Sequence, residues 1–98
     1  MGSLREIHKD TRGRAAQILG CIGDENAVTP LIWALRDKEP SVVSSAAWAL
    51  GRIGSPQALA ALQELVHNEN IDVREDAAEA VERIMSKKAK MAYQKERP

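Results

Sequence analysis

The sequence predicts an all-α protein, a right-handed α-α superhelix of five helices in about two and a half 31-residue repeats. Three observations predict it. Ala15-Ala16, Leu19-Gly20 and Ile22-Gly23 recur one period later as Ala46-Ala47, Leu50-Gly51 and Ile53-Gly54, and more loosely as Ala77-Ala78, Val81 and Ile84. The capping-type residues Asp10, Ser41 and Asp72 keep the same spacing, as do the pairs Ala27 and Ala58, Leu31 and Leu62, and Leu35 and Val66. Within each copy the apolar residues fall at helical intervals. Self-similarity at this period marks a stack in which each unit buries its apolar face against its neighbours.

The elements follow in chain order. Residues 10–22, 41–53 and 72–86 read as one kind of helix, termed B. Asp10, Ser41 and Asp72 are the expected N-caps, because an Asp or Ser oxygen can accept from an orphan backbone N–H. Asp72 and Glu75 also have capping-box spacing. Gly23 and Gly54 follow the first two B helices as left-handed C-caps. Met85 replaces that glycine in the third copy, so residues 87–98, a basic C-terminal tail, read as a frayed continuation of the helix. Residues 25–36 and 56–67 read as a second kind of helix, A, opened by Asp24 and by Ser55-Pro56. Pro30 is expected to bend the first A helix, because Asp24 and Ser55 share the repeat register. The short loops 37–40 and 68–70 make successive helices antiparallel neighbours, in the order B, A, B, A, B. Leu4 holds the register of Leu35 and Val66, so residues 1–9 read as the remnant of an absent first A helix. Met1-Gly2-Ser3 has the form of an expression-vector start and is given no structural meaning. The half-repeat at 10–22 then exposes apolar surface, which predicts self-association there or a longer parent solenoid.

The strings Arg14-Ala-Ala-Gln-Ile-Leu-Gly-Cys-Ile-Gly-Asp24 and Ala46-Ala-Trp-Ala-Leu-Gly-Arg-Ile-Gly54 resemble the short HEAT-like repeat of the phycobilisome (PBS) lyase type. Ala27-Val-Thr-Pro-Leu-Ile-Trp-Ala-Leu35, with Asp37, matches the rest of that unit. The likeness covers roughly residues 10–85, and the third copy departs most, losing both glycines to Glu82 and Met85. It implies an armadillo-like scaffold that presents a concave groove built by the B helices. It says little of activity, since one scaffold serves many functions.

Aligned by the period, the unconstrained stripe of the B helices reads Gly13, Arg14, Gln17 and Cys21; then Ser44, Ser45, Trp48 and Arg52; then Glu75, Asp76, Glu79 and Arg83. Trp48 stands where the other copies carry Gln17 and Glu79. A tryptophan at a position that tolerates glutamate reads as an exposed aromatic anchor, the residue type most enriched at binding hot spots. Stacking with Arg52 one turn on is the competing explanation. Trp33, whose counterpart is Glu64, falls on the outer row, where packing on the 37–40 loop or a dimer contact explains it. The expected partner-binding residues are Trp48 and Arg52 at the centre, with Ser45, Arg14, Gln17, Asp76, Glu79 and Arg83 around them.

The expected role is therefore a non-catalytic protein–protein interaction scaffold, with an accessory subunit or fragment of a bilin-lyase-type protein as the alternative. Bilin lyases attach tetrapyrroles to phycobiliproteins, but their HEAT-like subunits are much longer, so the likeness extends to the scaffold. Cys21 has no histidine beside it in sequence and reads as a half-buried, inert thiol. Deoxyhypusine hydroxylases also use short HEAT-like repeats, with His-Glu pairs holding two irons. Here His8 precedes Lys9 and His67 precedes Asn68, so no such pair occurs and that chemistry is not expected. No phosphate loop, zinc spacing or serine–histidine set is present, and neither metal nor cofactor is expected. The formal net charge is zero. Lys87, Lys88, Lys90, Lys95 and Arg97 make the tail basic, and the rest of the chain is correspondingly acidic. Nucleic acid is not an expected partner, because the third B helix makes the groove acidic. One cysteine, no spanning apolar run and no signal pattern suggest a cytoplasmic protein.

Overall fold

The computed structural model describes the backbone of residues 2–96 and the side chains of residues 9–90. Five α-helices follow one another: α1 (Gly2–Ile22), α2 (Val28–Ala34), α3 (Pro40–Ile53), α4 (Leu59–Leu65) and α5 (Ile71–Glu96). Single 3-10 turns, Glu25–Ala27 and Pro56–Ala58, lead into α2 and α4. The B helices α1, α3 and α5 lie side by side with α3 in the middle, while α2 packs on α3 and α4 on α5. This is the predicted α-α superhelix, a short solenoid.

The core lies where α3 is enclosed from both sides. Ala46, Ala47, Ala49 and Leu50 are fully buried, joined by Leu31 and Leu62 from the A helices and by Val73, Ala77, Ala80 and Ile84 from α5. Leu19 and Val81, the register partners of Leu50, are only half-buried, because each has a neighbouring B helix on one side alone. The closest crossings are made at glycines. A methyl group on Gly20 would lie 2.7 Å from Ala49 Cα, and one on Gly51 would lie 2.9 Å from Ala80 Cα. Both distances are too short for any side chain, so the Leu-Gly step of the repeat sets the helix spacing. Gly23 and Gly54 take φ of +73° and +76°, and their N–H groups donate to Leu19 and Leu50 carbonyls, ending α1 and α3 as expected.

Several helix starts differ from expectation. Asp10 lies inside α1, which begins at Gly2, because residues 3–12 contain no glycine, proline or turn pair to break it. Residues 2–9 thus extend α1 and do not end a separate A helix. Ser41 is interior to α3: Pro40 takes the first position and Glu39 the N-cap, without a side-chain bond. Asp72 lies inside α5, whose start is capped by Asn70. Its Oδ1 accepts from the N–H groups of Asp72 at 2.9 Å and Val73 at 3.2 Å. Asp37 and Asn68 explain the displacement, since each folds its loop by accepting from the N–H two residues on, Glu39 at 3.0 Å and Asn70 at 2.8 Å. Asp24 does cap its turn, accepting from Asn26 N–H at 2.8 Å. Pro30 bends nothing. It is the third residue of α2, where the N–H has no intrahelical partner, and the same 3-10-to-α step occurs in the other copy with Ala61 at that position.

The basic tail continues α5 as helix to Glu96. Lys87 does more than solubilise, since its Nζ donates to the Ile53 carbonyl at 2.9 Å, placing a cation on the C-terminal end of α3. Lys95, Arg97 and His8 lie outside the described side chains.

One polar clamp was not anticipated. Arg12 holds Asp37 with two parallel bonds, Nε to Oδ2 at 2.6 Å and Nη2 to Oδ1 at 3.0 Å, tying α1 to the loop before α3. Hydrogen bonding to Arg12 holds the Asp37 carboxyl below its ordinary value, against an opposing effect of burial, and the Glu39 N–H adds to it. A carboxyl depressed in the fold stabilises above its unfolded pKa of about 3.9 and loses that contribution as pH falls through the folded value. Asp37→Asn should therefore lower stability at neutral pH and narrow its gap to wild type below about pH 4, as read by urea midpoints across a pH series. A gap independent of pH would mean that the pair contributes no charge-dependent stability.

Candidate functional site

The concave side of α1, α3 and α5 forms a groove of about 750 Å³. Gln17 and Cys21 line it from α1, Ser45 and Trp48 from α3, and Asp72 and Asp76 from α5. The helical repeat puts them there: each lies on the stripe that borders the alanine and glycine positions packing helix on helix. A smaller cleft next to it gathers Trp48, Asp76, Glu79 and Arg83.

Trp48 sits at the junction of both. It is half-buried and packed against the core, not an exposed anchor as its register suggested. The reason is Gly20 on the facing helix: with no side chain there, the indole slides in, and a methyl on Gly20 would lie 3.1 Å from its Cζ3. The Arg52 guanidinium lies over the ring, 5.3 Å from its centroid. Trp48 thus presents one covered face and one edge to the groove. Trp33 is 67% exposed on the outer side, with Arg36 over its ring at 5.5 Å.

The charges are unevenly distributed. Lys9 and Glu39, at one end of the groove, lie 3.8 Å apart and offset each other. Asp72 and Asp76 have no cation within ion-pair distance among the described residues, and Asp76 accepts only from the Ser44 hydroxyl. Glu79 pairs with Arg83 one turn on, 3.0 Å apart and largely in solvent. The α5 wall is therefore net acidic.

Of the expected residues, Gln17, Ser45, Trp48 and Asp76 share the groove, Glu79 and Arg83 border the adjoining cleft, and Arg52 reaches it through Trp48. Arg14 is exposed and lines neither. Sequence reasoning missed Lys9, Glu39, Pro40 and Asn70, which close one end of the groove. The signal for Glu39, Pro40 and Asn70 was available in the loops 37–40 and 68–70, whose Asx turns lead into α3 and α5. Cys21 is an exposed free thiol, not the half-buried one expected, because it lines the open groove. Among the described residues no three His, Cys, Asp or Glu side chains gather as a metal site, and no helix is long and apolar enough to cross a membrane.

A family model described as HEAT repeats matches residues 3–82. The match is to the general repeat; the finer likeness to phycobilisome lyases rests on the strings quoted above. No curated protein matches the sequence significantly. Among solved structures, human deoxyhypusine hydroxylase in complex with glycerol is similar, with 31% identity and a TM-score of 0.76 over 83% of this chain and 29% of that one. The chain therefore spans less than a third of that enzyme's length.

Proposed function

Since the chain belongs to the HEAT-repeat family, we propose that it is a non-catalytic cytoplasmic scaffold that binds a protein partner along the groove of α1, α3 and α5. One observation carries this reading: a half-buried tryptophan, backed by Arg52, stands in an open groove beside Asp72 and Asp76, which have no cation within ion-pair distance among the described residues. An indole held this way offers apolar area without ordering cost. Asp72 and Asp76 favour a partner that brings Lys or Arg to the α5 side, and Gln17 and Ser45 supply adaptable hydrogen bonds. Ser45 already donates to the Ser41 carbonyl at 3.0 Å, which leaves its lone pairs for a donor.

The test is capture from the source organism's lysate by wild type, Trp48→Ala and the double change Asp72→Lys with Asp76→Lys. A partner held by wild type and lost by both variants is the expected result. Trp48→Ala should also cost about 1–2 kcal/mol, since a half-buried ring is removed, so a thermal melt must show that it remains folded at the assay temperature. A partner retained by both variants would move the site off the groove.

A second reading rests on the strings 14–24 and 46–54: an accessory subunit or fragment of a bilin-lyase-type protein. It predicts that the captured partner is a phycobiliprotein or its lyase. The exposed Ile18 and Ile22 on α1 also favour a closed pairing of two copies, α1 against α1.

A further inference from the structure

α3 and α5 each receive the preceding layer on one stripe, Val42, Ala46, Ala49 and Ile53 on α3 and Val73, Ala77, Ala80 and Ile84 on α5, and all eight are buried. α1 carries the corresponding stripe as Thr11, Ala15, Ile18 and Ile22. Among the described residues nothing covers it, and Ile18 and Ile22 are 59% and 65% exposed. At the two internal joints a glycine on the leaving helix meets an alanine on the receiving one, Gly20 on Ala49 and Gly51 on Ala80, with no room for one added methyl.

The same register assigns the next leaving position to Glu82, on the exposed side of α5, and the first receiving position to Ile18 on α1. Were a second copy to dock its α1 onto this α5 as the layers dock internally, Glu82 would fall opposite Ile18. We infer that these two residues keep copies of this chain from joining head to tail. Glu82 brings two methylenes and a carboxylate to a joint that elsewhere accepts only hydrogen, and Ile18 widens the receiving side by three carbons. The carboxylate would also be removed from water with no donor facing it on Ile18. A contact that repeats head to tail has no natural end and grows into fibres unless something blocks it. Glu82 and Ile18 supply that block on both sides of such a joint at once. The internal joints, which fold the domain, keep glycine and alanine.

Sedimentation of the full chain over a concentration series tests this with wild type, the double variant Glu82→Gly with Ile18→Ala, and Glu82→Lys. Wild type and Glu82→Lys should stop at monomer or a closed dimer. The double variant should form a series of lengths whose mean mass rises with concentration past roughly three monomers. Both sites are exposed, so circular dichroism should show unchanged helicity. If glycine at 82 weakens α5, the same pair is made in a Gly13→Ala background, which restores helix propensity elsewhere. A double variant that sediments as wild type overturns the inference. Open-ended growth of wild type, or growth of Glu82→Lys, overturns it equally.

Discussion

Leu50→Asp is expected to abolish the cooperative unfolding transition and most of the far-UV helical signal. Leu50 is completely buried on α3, the one helix with a neighbour on each side. The change forfeits about 2–3 kcal/mol of apolar burial. It also places a carboxylate in the core with no donor, which adds at least a further 1–3 kcal/mol. A domain of this size has only about 5–10 kcal/mol to lose. Leu19 and Val81, the same register position in the outer helices, are half-open, so Leu19→Asp and Val81→Asp should leave a measurable melt. Near-native ellipticity and a sharp urea transition for Leu50→Asp would overturn the register itself.

Gly20→Ala should destabilise, although the substitution ordinarily favours a helix. Intrinsic propensity predicts a gain of about 1 kcal/mol. The added methyl, however, would lie 2.7 Å from both Ala49 Cα and Cβ and 3.1 Å from the Trp48 ring. Backbone cannot move aside cheaply, so α1 must part from α3, at an overpacking cost of about 1–3 kcal/mol. Because that cost must first cancel the propensity gain, the expected net loss is at most about 2 kcal/mol. Gly13→Ala provides the contrast. Its methyl would meet only Ser45 Oγ at an ordinary 3.6 Å, so propensity wins and stability should rise by about 0.5–1 kcal/mol. Urea midpoints of the two variants should move in opposite directions; movement in the same direction would show that the crossing at Gly20 is looser than described.

The period made the fold legible because a stack repeats its packing chemistry: alanine and glycine where helices touch, leucine where they enclose space. Helix starts were less legible. Asp10, Ser41 and Asp72 share a spacing, yet Asx turns at Asp37 and Asn68 shift the true caps by two residues, to Glu39 and Asn70, and nothing interrupts α1 at Asp10. Trp48 lines the groove, but its depth was not legible, because depth depends on Gly20 across the joint, and periodicity compares a residue with its copies rather than with its neighbours. Arg12 was hidden for the same reason. Its copies are Val43 and Arg74, so the position shows no pattern, and the pair with Asp37 exists only once the helices are in place.

α1 and α5 both lie against α3 and scarcely meet each other. Contacts between helices therefore join residues about one period apart or less, which keeps chain-closure entropy small and favours rapid folding. It also orders the opening of the native state. Either outer helix can detach while the other layer remains formed, but α3 cannot leave without dissolving both joints. The slowest amide protons should be those of α3 in the stretch 46–50, exchanging only through complete unfolding, while α1 and the far end of α5 exchange through partial openings at lower free energy.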